Sequence, residues 1–320
     1  MLALADIGPW YWAGFVSIIL IFLALDLGVF HRKAHVVSFR EAFGWTIVWV
    51  CVALIFGAFV APGTVSGWNR SDTVEFVTGY VVELSLSMDN VFVIALIFAY
   101  FRVPLEYQHR VLFWGIIGAL LMRGLMIWVG AELIHRFHWM LYALGGFLVL
   151  TGIKMLFSGD EGVHPEKNPV IRLTQRLFPV SPEFEGQKFI TQWRGRRALT
   201  PLAIVLVMVE TTDLIFAVDS IPAIFAVTQD AFIVFTSNVF AIMGLRSLYF
   251  VLAGAIEYFR FLKYGLSIVL VFIGAKMLLV WIGVVIPTTL SLVVVLGVIG
   301  ASILLSVLAA KLRPAPEEKS

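Results

Sequence analysis

The stretch LSMDNVFVI, Leu86–Ile94, lies near the middle of an apolar run that extends from about Val74 to Phe101. A run of this length can cross a bilayer, because about 20 helical residues span the roughly 30 Å hydrocarbon core. A charged side chain at that depth costs at least about 2.5–3.5 kcal/mol on insertion scales. The stretch therefore predicts a membrane-spanning helix in which Asp89 and Asn90 have a specific reason to be present.

The whole chain has the composition of a polytopic membrane protein. Of its 320 residues 60% are hydrophobic and only 14% are charged, whereas a soluble domain carries about 25% charged residues. The net charge of +2 gives no reason to expect nucleic acid as a partner. The single cysteine, Cys51, excludes an intrachain disulfide and a CxxC pair. The first apolar run, 10–30, lacks the basic region and cleavage site of a signal peptide and is expected to be retained.

Nine membrane spans are expected, and one transmembrane domain covering 1–320. The spans lie near 10–30, 42–61, 74–101, 111–134, 139–157, 200–227, 232–256, 264–284 and 286–309. Of the 23 Lys and Arg residues, seventeen fall in connections and a tail on one side of this topology, whereas Arg70 and Arg136 fall on the other. Because basic residues favour the cytoplasmic side, the N-terminus is expected outside and the C-terminus in the cytoplasm.

Two parts of the chain resemble each other. SMDNVFVI at 87–94 matches TTDLIFAV at 211–218, and GIKML at 152–156 matches GAKML at 274–278. An aspartate, an arginine and a lysine recur in the same order. In the first copy they are Asp89, Arg123 and Lys154, at spacings of 34 and 31 residues. In the second copy they are Asp213, Arg246 and Lys276, at spacings of 33 and 30 residues. Each copy, 74–157 and 200–284, covers three spans, so the second must enter the membrane from the opposite side. This predicts an inverted repeat of spans 3–5 and 6–8, with a binding site near the midplane.

The connection at 158–198 is the sizeable soluble segment and is expected in the cytoplasm. Within it, NPVIRLTQRLF places apolar side chains opposite Arg172 and Arg176, as in a short helix that lies on the membrane interface. KFITQWRGRRALT is consistent with a small hairpin.

Five carboxylates are expected at hydrocarbon depth, with an asparagine beside one of them. The candidate ion ligands are Glu83, Asp89, Asn90, Glu210, Asp213 and Asp219, and the candidate counter-charges are Arg123, Arg246, Lys154 and Lys276. If all of these ionise, the interior charge is −1. Oxygen ligands with a small negative excess suit Mn²⁺, Mg²⁺ or Ca²⁺, and buried carboxylates also exchange protons. For all of them to line one site, spans 3 and 6 would have to be broken or unevenly wound, and Gly79 and Pro222 allow this.

The same residues have a simpler interpretation, in which Asp89 and Asp213 only form structural ion pairs with Arg123 and Arg246. Matching carboxylates in two repeats favour an ion site over this alternative. Met88 and Met208 are soft sulfur donors near the carboxylates, so a softer ion stays open.

SMDNVFV in span 3 and the long segment from Val209 to Phe250 resemble the TerC family of bacterial integral membrane proteins, and within it the Alx-type branch. FREAFGW before span 2 and KYGLSIVLVFIGAKML in span 8 extend the resemblance over essentially the whole chain. It implies an inner-membrane protein, a link to tellurite resistance by name, manganese export for several members and a proposed role as a redox modulator. Carried over by motif, the acidic positions are the same six candidate ligands given above.

The leading hypothesis is an inner-membrane Mn²⁺ exporter, with proton coupling as one option. The alternatives are a membrane-bound redox modulator and a membrane scaffold linked to tellurite resistance. Since no nucleophile and base are paired, no enzymatic activity is expected. No tightly bound cofactor is expected, and the expected partners are the lipid bilayer and a divalent metal ion. A homo-oligomer stays open.

Overall fold

A computed structural model describes residues 8–25, 38–157, 168–253 and 261–311. These residues form an all-α membrane protein with one small hairpin. Eight helices are long and apolar enough to span a membrane, and a shorter apolar helix precedes them. The helices are α1 Pro9–Leu25, α2 Phe39–Ile55, α3 Ala61–Thr64, α4 Arg70–Tyr100, α5 Leu105–Arg136, α6 Met140–Phe157, α7 Pro169–Leu177, α8 Pro201–Phe225, α9 Ala231–Ala253, α10 Leu262–Leu279 and α11 Thr288–Lys311.

Helix α4 carries the opening stretch, and its beginning and end are encoded locally. Asn69 caps the helix by accepting from the backbone N–H groups of Ser71 and Asp72, and Asp72 accepts from the Asn69 backbone in return. This reciprocal capping box satisfies donors that a helix start leaves unpaired. At the other end Arg102 has φ 51°, a left-handed conformation that ends the helix. Asp89 is thereby held in the interior of one long helix.

Helices α4 and α8 run without interruption, so neither Gly79 nor Pro222 breaks its helix. Gly79 serves close packing instead: a Cβ there would lie 3.0 Å from Ser237 Oγ of α9. Pro222 lies in the last turn of α8, where the loss of one backbone hydrogen bond does not stop a helix that ends at Phe225. The unevenly wound segment is Phe56–Val60, a π-helical turn that joins α2 to α3.

The helices of the two expected repeats pack crosswise. The first helix of each, α4 and α8, packs against the second helix of the other, α9 and α5. The third helices, α6 and α10, pack against each other. Exchanging α4, α5 and α6 with α8, α9 and α10 gives the same set of helix contacts, as a two-fold relation between the halves would require. The inverted orientation of the halves stays a prediction.

Glycines bring α6 and α10 into backbone contact. A Cβ at Gly274 would lie 2.6 Å from the Gly145 carbonyl oxygen, and a Cβ at Gly152 would lie 2.9 Å from the Ser267 carbonyl oxygen. Neither position has room for a side chain. Small residues of this kind allow membrane helices to approach closely, so the α6–α10 contact depends on the absence of side chains.

The connection between the halves contains the two elements expected from its sequence. α7 forms over Pro169–Leu177. Strands β1 Ile190–Trp193 and β2 Arg196–Leu199 form an antiparallel hairpin. Residues 158–167 lie outside the described residues. The short helix and the hairpin are therefore confirmed.

Candidate functional site

Arg123 is the centre of a buried polar network between four helices. The α5 guanidinium is 2% exposed and forms ion pairs with Glu83 of α4 and with Asp213 of α8. Its Nη2 lies 3.0 Å from Asp213 Oδ1, and its Nη1 donates to Asn238 Oδ1 of α9 at 3.2 Å. An arginine can make these bonds together because its donors form a planar fork.

One face of α4 contributes three members of this network. Glu83, Ser87 and Asn90 follow an i, i+4, i+7 spacing, which places them on the same face of a helix. Ser87 Oγ donates to Glu83 Oε1 at 3.0 Å, and Asn90 Nδ2 donates to Asp213 Oδ1 at 2.6 Å. The shared face predicted from the spacing is confirmed.

A cavity of about 30 Å³ lies beside this network. Its polar lining consists of Glu83, Asp89, Asn90, Arg123, Asp219 and Ser220, and its apolar lining of Leu86, Met155, Phe216, Leu266 and Leu270. A single water molecule needs a cavity of about 10–15 Å³. The cavity therefore has room for about two water molecules or for one largely dehydrated cation.

Three buried oxygen atoms in the lining lack a hydrogen-bond partner: Glu83 Oε2, Asn90 Oδ1 and Ser220 Oγ. In the part of the chain that the structure describes, the only other such side-chain atom is Trp12 Nε1. Buried polar atoms in native proteins are nearly always paired. Three unpaired oxygens around one cavity are the groups that would bind a cation or accept hydrogen bonds from a water molecule.

Two further carboxylates lie at this cavity. Asp89 and Asp219 are each half-buried and contribute from α4 and α8. Asp219 shares a hydrogen bond with Thr151 of α6, and the ammonium group of Lys154 acts on it electrostatically. The cavity is thus formed by helices of both halves, since α4, α5 and α6 face α8 and α10 there.

Glu210 lies one turn before Asp213 and is not among the residues that line the cavity. Its carboxylate occupies the space that a Cβ at Gly118 of α5 would fill. The charge of Asp213 acts on it electrostatically. Glycine at 118 therefore lets a carboxylate approach the α5 backbone near Arg123.

The structure brings most of the expected site residues together. Four of the six candidate ligands line the cavity: Glu83, Asp89, Asn90 and Asp219. Asp213 lies behind them, bound to Asn90 and Arg123. In the described ranges no three Asp, Glu, His or Cys side chains converge closely enough to hold a metal by themselves. Any cation here would also need the Asn90 amide, the Ser220 hydroxyl or water.

The expected counter-charges have different neighbours. Arg123 and Lys154 act at the cavity. Arg246 contacts His109, with 3.3 Å between its Nη1 and the histidine Nε2. Lys276 is buried outside the cavity lining, with Glu75 of α4 as its acidic neighbour. Asp213 forms an ion pair with Arg123, which is one contact of the kind that the simpler interpretation requires.

Sequence reasoning missed three residues at this site: Asn238, Thr151 and Met155. A signal existed for Asn238, because an asparagine inside the apolar α9 is as unusual as Asn90 inside α4. Met155 had no such signal, and it supplies the sulfur in the cavity lining. Of the two methionines proposed from the sequence, neither lines the cavity. Met208 accepts a hydrogen bond from Asn168 at 3.4 Å.

The family model described as "Integral membrane protein TerC family" matches residues 68–315. A Myxococcus xanthus relative, "Uncharacterized membrane protein STKORF319", is 51% identical over 308 residues, which cover 96% of this chain and 94% of the relative. A relative from Escherichia coli K12, named "Putative membrane-bound redox modulator Alx", is 44% identical over 296 residues, 91% of this chain and 92% of its own. A Rickettsia felis membrane protein is 39% identical over 297 residues, 93% of this chain and 97% of its own. No solved structure matches.

Proposed function

This chain belongs to the TerC family of integral membrane proteins, and on that premise we propose that it transports a divalent cation, with Mn²⁺ export from the cytoplasm as its specific activity. One observation carries the proposal. Unpaired oxygens of Glu83, Asn90 and Ser220 surround a cavity that the carboxylates of Asp89 and Asp219 also line.

The chemistry of the lining favours a hard divalent ion. Carboxylate, amide and hydroxyl oxygens are ligands that Mn²⁺, Mg²⁺ and Ca²⁺ accept. The ionisable lining residues are three carboxylates and one guanidinium, with a net charge of −2 when all are ionised. A divalent cation neutralises that charge within the membrane, where uncompensated charge is costly.

Arg123 gives the site a cation of its own. It holds one oxygen of Glu83 and leaves the other unpaired toward the cavity region. An arriving metal ion and Arg123 therefore share Glu83. This arrangement keeps the carboxylates partly compensated between transport events, and it limits how tightly a divalent ion is held. Moderate binding suits a transporter, because the ion must also leave.

Proteoliposomes that contain the purified protein test the proposal. Flux of Mn²⁺ is compared with flux of Mg²⁺, Ca²⁺ and Zn²⁺, in wild type and in Asp89→Asn and Asp219→Asn. Both substitutions keep the side-chain shape and remove a charge, and both are expected to reduce Mn²⁺ flux at least tenfold. Glu106→Gln is the matched control, since Glu106 is exposed and lies outside the cavity lining. Equal Mn²⁺ flux in all four proteins would refute the proposal.

A role as redox modulator is the second candidate, and the printed name of the E. coli relative favours it. Cys51, the single cysteine, is exposed on α2 and does not line the cavity. That thiol is one route for a redox effect of this chain, and an indirect effect through metal levels is another. A Cys51→Ala strain that keeps its redox phenotype, while Asp89→Asn loses it, would favour the indirect route.

A further inference from the structure

The helix between the two halves has an unusual surface. Val170, Leu173 and Leu177 are 40%, 55% and 65% exposed. Their i, i+3, i+7 spacing places them on one side of α7. Arg172 and Arg176 lie on the adjoining side and are exposed. The helix thus carries an apolar strip with a pair of guanidinium groups along its edge.

α7 does not project freely into water, because its far side is fixed to α8. Ile171 is 3% exposed and belongs to the same core cluster as Leu202, Val205 and Met208. Asn168 caps the helix, its Oδ1 accepting from the Val170 N–H at 2.9 Å. Its Nδ2 lies 3.4 Å from Met208 Sδ.

The contact with Met208 fixes the depth of α7 relative to the bilayer. Met208 lies seven residues beyond the start of α8 at Pro201, about 10 Å along the helix at ~1.5 Å per residue. α8 has 25 residues, and its length of about 37 Å exceeds the roughly 30 Å hydrocarbon core by only about 7 Å. Even if all of that excess lay at this end, Met208 would be inside the hydrocarbon boundary. The start of α7 therefore lies at the boundary too.

The chain that follows α7 holds its other end in place. Leu199 of β2 donates to the Pro179 carbonyl and accepts from the Ser181 N–H, both at 2.8 Å. The hairpin therefore ties down the segment directly after α7. A helix fixed at both ends keeps its apolar strip turned in one direction.

From these contacts we infer that α7 is a binding surface for anionic phospholipid. The strip of Val170, Leu173 and Leu177 enters the acyl-chain boundary, and Arg172 and Arg176 bind phosphate-bearing headgroups beside it. Three exposed aliphatic side chains would not stabilise a helix in water. A helix at the membrane interface buries such side chains among the acyl chains, which stabilises it. The guanidinium groups match the negative charge of the leaflet, and each basic residue near such a surface strengthens binding about fivefold.

The test uses the full chain in nanodiscs with Cys51→Ala as background, since Cys51 is exposed and would take the label. A fluorophore is attached at Leu173→Cys, and in a matched protein at Gln175→Cys, which lies on a different side of α7. Quenching is measured with aqueous iodide and with phosphatidylcholine or phosphatidylglycerol that carries a nitroxide high on the acyl chain.

At position 173, nitroxide lipid is expected to quench strongly and iodide weakly, and at position 175 the reverse. Labelled phosphatidylglycerol is expected to quench position 173 more than phosphatidylcholine does. Arg172→Gln with Arg176→Gln is expected to lower the preference for phosphatidylglycerol by roughly fivefold to twenty-fivefold. Arg70→Gln with Arg136→Gln is the control and is expected to leave that preference unchanged.

Three results would overturn the inference. Iodide access at position 173 equal to that at 175 would place the strip in water. Protection of position 173 from both iodide and nitroxide lipid would mean that a protein covers it instead. Equal quenching by the two lipids in the wild-type background would remove the headgroup preference and with it the role of the two arginines.

Discussion

Arg123 shows at the scale of one residue how this protein tolerates charge inside the membrane. A buried guanidinium is stable there only with good partners, and Glu83, Asp213 and Asn238 supply them. The reverse dependence also holds. Glu83 and Asp213 are both buried, so each relies on the arginine to compensate its charge.

Arg123→Gln is therefore expected to lower the free energy of unfolding by roughly 3–5 kcal/mol, because it leaves buried carboxylates without their cation. Thermal unfolding of the purified protein in detergent measures the change. Arg172→Gln serves as an exposed control and is expected to have little effect. The double variant Arg123→Gln with Glu83→Gln should recover part of the loss. Equal stability of Arg123→Gln and the control would contradict the role given to the network.

Ser220→Ala separates stability from ion binding. The Ser220 hydroxyl is buried and unpaired, which costs about 1–3 kcal/mol. Without metal, Ser220→Ala is thus expected to unfold at the same or a higher temperature than wild type. Addition of Mn²⁺ should raise the midpoint less in the variant than in wild type, because one oxygen ligand is missing. An equal metal-induced rise would remove Ser220 from the site.

Spacing within one helix predicted the residues on each face well. The shared face of Glu83, Ser87 and Asn90 follows directly from helix geometry, and depth in the apolar run identified the buried carboxylates. Which side chain meets which across helices did not follow. The Arg123–Asp213 ion pair, for example, joins the second helix of one repeat to the first helix of the other, and the contact of Arg246 with His109 has no signal in the spacing. Such partners depend on how far each helix is rotated about its own axis. The apolar pattern does not specify that rotation, because lipid-facing and protein-facing positions are both apolar.

At the scale of the helices, small residues decide which elements touch. Gly145, Gly152 and Gly274 remove side chains from the α6–α10 contact. Gly118 makes room for the Glu210 carboxylate. The continuous α4 and α8 mean that no broken helix is needed to place Asp89 and Asp219 at one cavity.

Gly274→Ala is expected to destabilise the protein by about 1–3 kcal/mol or more, because a methyl group there would overlap the Gly145 carbonyl. Gly146→Ala is the matched control, since nothing lies within 4 Å of the Cβ it would add. Unfolding midpoints of the two variants in the same detergent give the comparison. A larger loss for Gly146→Ala would show that the close contact is misplaced.

Hydropathy predicted the helices to within a few residues because a helix in lipid must satisfy its own backbone hydrogen bonds. The extra length of α4 and α5 beyond the apolar runs was not anticipated. α4 begins at Arg70 rather than near Val74, since the capping box of Asn69 and Asp72 starts the helix in the polar flank. α5 likewise begins at Leu105, directly after Pro104, and not near Val111.

At the scale of the whole molecule, the cavity lies where the two halves meet. Residues of α4, α5 and α6 from one half and of α8 and α10 from the other half line it. Transporters built from repeats place their sites in this way and move one half against the other. Membership of the TerC family and the all-α membrane fold, both expected from the sequence, are confirmed. The ion and the direction of transport could not follow from either.

The orientation of the chain in the membrane is a prediction that labelling can check. α5 connects Glu106 to Arg136 across the bilayer, so the two ends lie on opposite sides. In a Cys51→Ala background, Arg136→Cys is expected to react with a membrane-impermeant maleimide in spheroplasts. Glu106→Cys is expected to react only after lysis. The opposite labelling pattern would reverse the topology inferred from the Lys and Arg distribution.

Helix α9 has almost no surface left for lipid, since 89% of the residues in its most apolar segment are buried. In the span that contains α2, only 11% of the corresponding residues are buried. Both spans are apolar enough to cross a membrane, yet different constraints act on their side chains. In α2, one aliphatic residue can replace another as long as the surface stays soluble in lipid. In α9, each side chain must keep its shape against protein neighbours. Over evolutionary time α2 is therefore free to drift among apolar residues, while α9 is held to a narrow set of variants.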